Sequence, residues 1–254
     1  MKKIILTALV ALTTALASTA QFYNMNLDKV TSLIKECTLM PDDNAALVMT
    51  AIMQSASTDG KTYRKTLQIA ERTGNPVDSL HSEAMYLSML KYATTSGALS
   101  TTEKQRYIQL LDETQRNAMG TAAADIDYVT PDGKAHQLSE LTGSKVLLFF
   151  NDPDCESCAT VKQRLATSPT IAKQLAEGKL VVLGIYTGSD EKLWRNTPCP
   201  DMIVNGWNKS GSIDNEERYI LPTTPLFYLL DSDHTVLVKN EPSLKKIEQK
   251  LVAQ

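Results

Sequence analysis

Two cysteines three positions apart, Cys155 and Cys158 in Cys155-Glu156-Ser157-Cys158, are the residues of this chain best suited to covalent chemistry. Redox exchange fits their spacing. Two intervening residues on a first helical turn allow a small disulfide ring, and the unpaired N–H groups of a helix N-terminus favour a thiolate. Such a thiolate displaces one sulfur of a substrate disulfide and forms a mixed disulfide, which the second thiol resolves. The pair ends oxidised and the substrate reduced; the reverse sequence oxidises a substrate. Half of a zinc site is a rival use of the spacing, but zinc needs two more ligands, and Cys37 and Cys199 are solitary with no histidine at ligand spacing. A purely structural disulfide is a further rival, though so short a ring closes little loop entropy. The pattern implies no metal and no cofactor.

The elements around the pair read as a strand-to-helix junction. Lys145 to Phe150 is a continuous apolar run, as expected of a central strand buried on both faces, and it ends at Asn151-Asp152-Pro153-Asp154. Cys155 then opens a helix through about Ala166, with Asp152 and Pro153 placed as a cap and a first helical residue. A second helix near Ile171 to Glu177 leads to a second buried strand, Leu180 to Tyr186, which completes a β-α-β unit. Upstream, Ile126 to Val129, the turn Thr130-Pro131-Asp132-Gly133 and His136 to Leu138 predict a hairpin. Downstream, a loop-and-helix passage holds Trp194, Cys199, Trp207 and the stretch Ile213 to Tyr219. Strands Leu226 to Leu230 and Val236 to Val238 follow, then a closing helix with Leu244, Ile247 and Leu251 on one face. This order predicts an α/β fold, a mixed central sheet with helices on both faces, in which the loop carrying the cysteines points outward at a strand's carboxyl end.

Ahead of residue 120 the period is helical. Leu27, Val30, Ile34 and Cys37 recur at helix spacing, as do Leu47 and Ala51, and Leu80, Ala84 and Leu87. Breaks at Met40-Pro41, Asp59-Gly60, Gly74-Asn75-Pro76 and Gly97 divide the region into about five helices. Ser100 and Glu103 make a capping box for the last, whose apolar face is Tyr107, Leu110 and Leu111. Before these helices, Met1-Lys2-Lys3, an apolar run from Ile4 to Leu16, and Ala17-Ser18-Thr19-Ala20 have the layout of a secretory signal peptide cleaved before Gln21. That run is short of the roughly 20 apolar residues needed to span a bilayer. The expected organisation is a signal peptide over 1–20, an all-α helical domain over 21–119 and the α/β domain over 120–254. The expected location is the periplasm or cell envelope, soluble after cleavage, with no membrane span in the mature chain.

Three stretches of the α/β domain carry a family likeness: Asp132-Gly133-Lys134 followed by Leu138-Ser139-Glu140-Leu141, the strand Val146-Leu147-Leu148-Phe149-Phe150 leading to the cysteine pair, and Thr223-Thr224-Pro225-Leu226-Phe227. Through them the segment from about Ala124 to Gln254 resembles the secreted thioredoxin-like oxidoreductases of the TlpA/ResA type. The resemblance implies a thioredoxin-like fold with Cys155 as nucleophile, Cys158 as resolving thiol and Pro225 as a cis-proline, the backbone of Thr224 pairing an extended substrate segment. It also implies a partner, either a protein disulfide or dithiol or an upstream thiol donor. By analogy alone, the helical domain would dock a partner or dimerise. The alternative is a non-enzymatic module that binds extended peptides along the Thr224-Pro225 edge and keeps the cysteines as a structural disulfide. Neither cysteine has the Pro-x-x-x-Thr/Ser-x-x context that resemblance to peroxiredoxins would require.

Two departures from the family bear on proton handling. Asp154 stands where a tryptophan commonly precedes the first cysteine, and Phe149 stands six residues before it, where many thioredoxins bury an acid. Asp152, Asp154 and Glu156 make the site acidic. At about 8 Å in water-like dielectric each carboxylate disfavours the thiolate by roughly 0.5 kcal/mol, comparable with the roughly 0.3–1 kcal/mol that a helix N-terminus supplies. A weakly stabilised thiolate favours the disulfide, so these residues predict a reducing pair.

The rest of the composition excludes more than it assigns. A formal net charge of −3 and a sequence pI near 5.7 offer nothing to nucleic acid, and the chain has no Gly-rich phosphate loop. His81, His136 and His234 are isolated from one another. Cys37 lies on an apolar stripe as a buried thiol and Cys199, between Pro198 and Pro200, lies in a loop; the sequence leaves open whether they pair. Asn208-Lys209-Ser210 matches a glycosylation acceptor in form only.

Overall fold

Apolar residues at helix spacing build the first of two units. The computed structural model describes residues 27–74 and 82–252, so the predicted signal peptide lies outside the described residues. The chain divides by its internal contacts into Met1–Gln115 and Arg116–Gln254. In the first unit, helices α1 (Leu27–Cys37), α2 (Asp42–Ala56), α3 (Gly60–Thr73), α4 (Glu83–Thr95) and α5 (Thr101–Gln115) enclose a core that includes Ile34, Met49, Ile52, Tyr63, Leu67 and Met89. At three of them the start follows from a side chain that accepts an otherwise unpaired N–H group. Asp59 accepts from the Thr62 N–H at 2.7 Å, and Ser82 from that of Met85 at 3.4 Å. At α5 the capping box closes in both directions: the Ser100 N–H donates to Glu103 Oε2 at 2.8 Å and the Glu103 N–H donates to Ser100 Oγ at 3.3 Å.

Two helices turn a different face inward from the one their spacing predicts. Leu47 is 69% exposed and Ala51 half-buried, whereas Ala45, Val48, Met49, Ile52 and Met53 are buried. In α4, Ala84 and Leu87 are half-buried while Met85, Tyr86, Met89 and Leu90 form the inner face; Leu80 lies outside the described residues. Both segments carry Ala, Met and Leu around most of the helix. More than one stripe therefore fits the period, and packing against the neighbouring helices selects one.

The second unit is a seven-stranded sheet in the order β2-β1-β5-β4-β3-β6-β7. Its strands are β1 (Asp127–Val129), β2 (Ala135–Gln137), β3 (Lys145–Phe150), β4 (Leu180–Tyr186), β5 (Ile203–Trp207), β6 (Leu226–Leu230) and β7 (Val236–Glu241). β3, β4 and β5 run parallel; β1 is antiparallel to β5, and β6 is antiparallel to β3 and β7. Strand alternation assigns the two cores. Val146, Leu148 and Phe150 enter one with Tyr219 and Tyr228, while Leu147 and Phe149 enter the other with Cys158, Leu165, Ile171 and Ile247. That second face carries residues of α6 (Glu156–Thr167), α7 (Pro169–Ala176) and α10 (Leu244–Val252). The first-face core includes Ile213 of α9 (Ser212–Asn215), and α8 (Glu191–Asn196) sets Trp194 against Trp207.

β5 is a correction to the sequence reading, which places Trp207 in a loop-and-helix passage. Its five residues include Asn205 and Gly206, both poor strand formers, so propensity hides it. Pairing supplies what propensity lacks, since β5 bonds to β4 from Val182↔Ile203 to Tyr186↔Trp207. A side chain at Gly206 would press on Ile185, Tyr128 and the Gly184 carbonyl, so close strand packing leaves room for glycine alone. In the rest of that passage the helix over the Ile213 to Tyr219 stretch is the short α9. Asn208 is buried, its amide donating to the Asp127 carbonyl at 2.7 Å and to Ser212 Oγ at 3.1 Å, which leaves the formal glycosylation triplet no free acceptor.

Candidate active site

Strand register brings the site together. Phe150, last in β3, pairs with Ile185 of β4 on one side and Leu226 of β6 on the other. The chain that leaves β3 toward Cys155 therefore runs beside the chain that enters β6 from Thr224 and Pro225. Asn151 fixes the exit: it is buried, and its Nδ2 donates to the carbonyls of Phe149 at 3.1 Å and Ile185 at 3.3 Å. A tight turn follows, with the Cys155 N–H donating to the Asp152 carbonyl at 3.2 Å and the Asp154 N–H to Asp152 Oδ1 at 3.0 Å. Asp152 thus folds the loop; it does not cap the helix. The N-cap of α6 is Cys155 itself, whose sulfur accepts from the Cys158 N–H at 3.1 Å.

Cys155 and Cys158 are joined as a disulfide with Cα atoms 5.1 Å apart. Their exposures differ. Cys155 is half-buried at the mouth of α6, whereas Cys158 is fully buried against Phe149 and Leu165 in the core under the helix. The Ser157 hydroxyl lies 3.0 Å from Cys155 Sγ and can donate to it, so two donors, this hydroxyl and the Cys158 N–H, converge on the atom that would carry a thiolate. Ser157 is a site residue that sequence reasoning passed over. Its signal is its place in the first helical turn, where a side chain leans back over the N-terminus. Cys155 Sγ also lies 3.8 Å from the Thr224 carbonyl, and the Thr224–Pro225 peptide bond is cis. Both Thr224 and Pro225 are half-buried beside the sulfur. Of the three acidic residues, Asp152 is half-buried, and Asp154 and Glu156 are exposed.

Where many thioredoxins bury an acid, this chain packs Phe149 against Phe227, ring centroids 5.2 Å apart. Lys162 was also missed. One turn beyond Cys158 on the inward face of α6, it is 8% exposed, and burial lowers its pKa against the raising influence of Cys199 and Asp152. Cys37 and Cys199 are free thiols. Burial and then Glu36 push the Cys37 thiol up to about 12, and burial raises Cys199 against the charge of Lys162. Among the described residues no cluster of three or more His, Cys, Asp or Glu is placed to hold a metal ion, and no helix is long and apolar enough to cross a membrane.

Neither a protein-family model nor a curated protein matches the chain. Solved structures do. A thioredoxin-like protein from Bacteroides caccae is 28% identical and aligns over 84% of this chain and 78% of its own, with a TM-score of 0.80. That share of this chain exceeds what lies beyond Arg116, so the likeness takes in part of the helical unit. The C-terminal domain of an uncharacterized protein from Bacteroides fragilis is 36% identical over 54% of this chain and 99% of its own, with a TM-score of 0.51. A conserved protein of unknown function from Bacteroides fragilis is 33% identical over 53% and 98%, with a TM-score of 0.50. On its sheet, the cysteine-bearing helix and these likenesses, the chain has a thioredoxin-like fold, with a helical unit ahead of it in sequence.

Proposed function

We propose that this chain is an exported thiol-disulfide oxidoreductase that works in the reducing direction on a protein disulfide. The observation that carries the reading is the placement of Cys155 Sγ: half-exposed at a helix N-terminus, bonded to Cys158, and 3.8 Å from the carbonyl of Thr224. In the reduced protein the Cys155 thiolate attacks one substrate sulfur, and the electron pair of the broken S–S bond leaves on the other, which takes up a proton. Cys158 loses its proton and attacks Cys155 Sγ; the ring closes and the substrate sulfur bonded to Cys155 departs as a thiolate. Two electrons pass from the pair to the substrate, and an upstream dithiol restores the pair. The backbone of Thr224, held by Pro225, offers its edge to an extended segment flanking the substrate cysteine. Asp152, Asp154 and Glu156 oppose the thiolate of Cys155. The apolar burial of Cys158 disfavours its thiolate, and a poorly stabilised thiolate favours the disulfide, which supports the reducing direction.

Dithiol-driven reduction of insulin by wild type and by Cys155→Ser tests the reading. The expected result is loss of all detectable turnover in the variant; equal activity would favour the peptide-binding module with a passive disulfide. Equilibration with glutathione reads the direction, with an expected potential nearer the roughly −270 mV of thioredoxin than the roughly −120 mV of a strong periplasmic oxidant.

A further inference from the structure

We propose that Lys162 is a positioning residue for the second half of the exchange, its ammonium supplying the countercharge for the Cys158 thiolate. The inference rests on the exchange reading above and adds to it the residue that ionises the resolving sulfur. Lys162 shares the buried face of α6 with Cys158, Val161 and Leu165, and among the described residues it makes no hydrogen bond or ion pair. A long apolar side chain would fill the same space, so packing leaves the charge unexplained. Helical side chains lean toward the helix N-terminus, and residues four apart stack one above the other, so the lysine stem runs back past Cys158 toward the mouth of the site. Its electrostatic neighbours agree with that course: Asp152 in the loop before Cys155, and Cys199, which Asp201 also influences. Phe149, stacked on Phe227, puts an aromatic ring in the same core as Cys158, at the position where an acid would otherwise serve it.

In the mixed disulfide, Cys155 is bonded to substrate and Cys158 is a buried thiol. Its proton passes to solvent, and the thiolate left beside Lys162 attacks Cys155 Sγ. The new S–S bond forms as the Cys155–substrate bond breaks, with the electron pair leaving on the substrate sulfur. No proton passes to or from the lysine in this step. It acts by field alone, so arginine should replace it in large part and methionine should not.

The test is stopped-flow resolution of a preformed mixed disulfide at Cys155, followed from pH 5 to 10 in wild type, Lys162→Met and Lys162→Arg. In Lys162→Met we expect resolution to slow about tenfold and its pH profile to move up by about one unit, the change that loss of one nearby charge produces. Lys162→Arg is expected to stay within about threefold of wild type. The first step, measured as attack by Cys155 in a Cys158→Ser background, is expected to be indifferent to the lysine. The reduction potential of Lys162→Met should fall by about 30 mV, the equivalent of tenfold in the exchange equilibrium. Circular dichroism establishes that each variant is folded, and Lys162→Gln replaces Lys162→Met should the latter fail that check. A folded methionine or glutamine variant with the wild-type rate, profile and potential overturns the role of Lys162 alone. A wild type that forms no mixed disulfide at Cys155 overturns the exchange reading along with it.

Discussion

Cys37 and Cys155 both stand at the end of a helix, and the ends are opposite. Cys37 is the last residue of α1 in the helical unit, where the helix presents carbonyls and partial negative charge; Cys155 caps the start of α6, where N–H groups point outward. Burial reinforces the contrast. Cys37 is 0% exposed, with its thiol pushed up to about 12 by desolvation and by Glu36, while Cys155 is half-exposed and receives the Cys158 N–H. One side chain type is thus inert in one unit and placed for chemistry in the other. The difference lies in the polarity of the helix end and in access, neither of which belongs to the cysteine.

The largest effect should appear in alkylation of the reduced protein at pH 7. At the pKa of Cys37, about 12, roughly one thiol in 10⁵ is ionised, against roughly three in a hundred for a thiol near 8.5. Iodoacetamide mass mapping is therefore expected to find Cys155 modified roughly three thousand times faster than Cys37, and Cys37→Ser should leave insulin reduction unchanged. Comparable labelling of the two would break the contrast. A smaller effect compares the cores. Phe149→Ala removes a ring stacked on Phe227 beside Cys158 and is expected to cost about 3–5 kcal/mol, while Ile52→Ala in the helical core should cost about 2–4 kcal/mol. Urea unfolding reads both, and a cost under about 1 kcal/mol for Phe149→Ala would mean that the site rests on no tight packing.

How far these features can be read from sequence depends on whether local signals suffice. β3 and β4 were legible because strands buried on both faces are unbroken apolar runs, and α6 because a cysteine pair follows at once. β5 was not, since its Asn205 and Gly206 are tolerated only through pairing with β4 and close contact with Ile185 and Tyr128. The inward faces of α2 and α4 were misplaced for a related reason: several stripes satisfy the helix period, and neighbours not adjacent in sequence decide among them. Within the site, the residues that react were visible as a motif, while those that tune them were not. Ser157 became a donor only once Cys155, and not Asp152, proved to be the cap. Lys162 reads in sequence as an ordinary surface lysine, and only the sheet beneath α6 makes it a buried charge.

The smallest expected effect returns to the helix ends, this time to the one capping box read correctly in advance. Arg64 of α3 donates from Nε to Glu103 Oε1 at 2.7 Å, and Ser100 donates to the same carboxylate from its N–H and its hydroxyl, each at 2.8 Å. Arg64 first and Ser100 second hold the Glu103 carboxyl down to about 2, below its ordinary 4.5. A carboxyl with a lower pKa folded than unfolded binds its proton less readily in the folded state. Its stabilisation is therefore complete above about 4.5 and disappears as pH falls toward 2. Both partners are exposed to water, so the effect is modest and weakens in salt. Melting temperatures from pH 6 to 2 should fall more steeply for wild type than for Glu103→Gln, which keeps the side-chain shape but does not titrate. Parallel curves would mean that the charge on Glu103 adds nothing to α5, leaving the neutral cap and the packing of Tyr107, Leu110 and Leu111 to hold it.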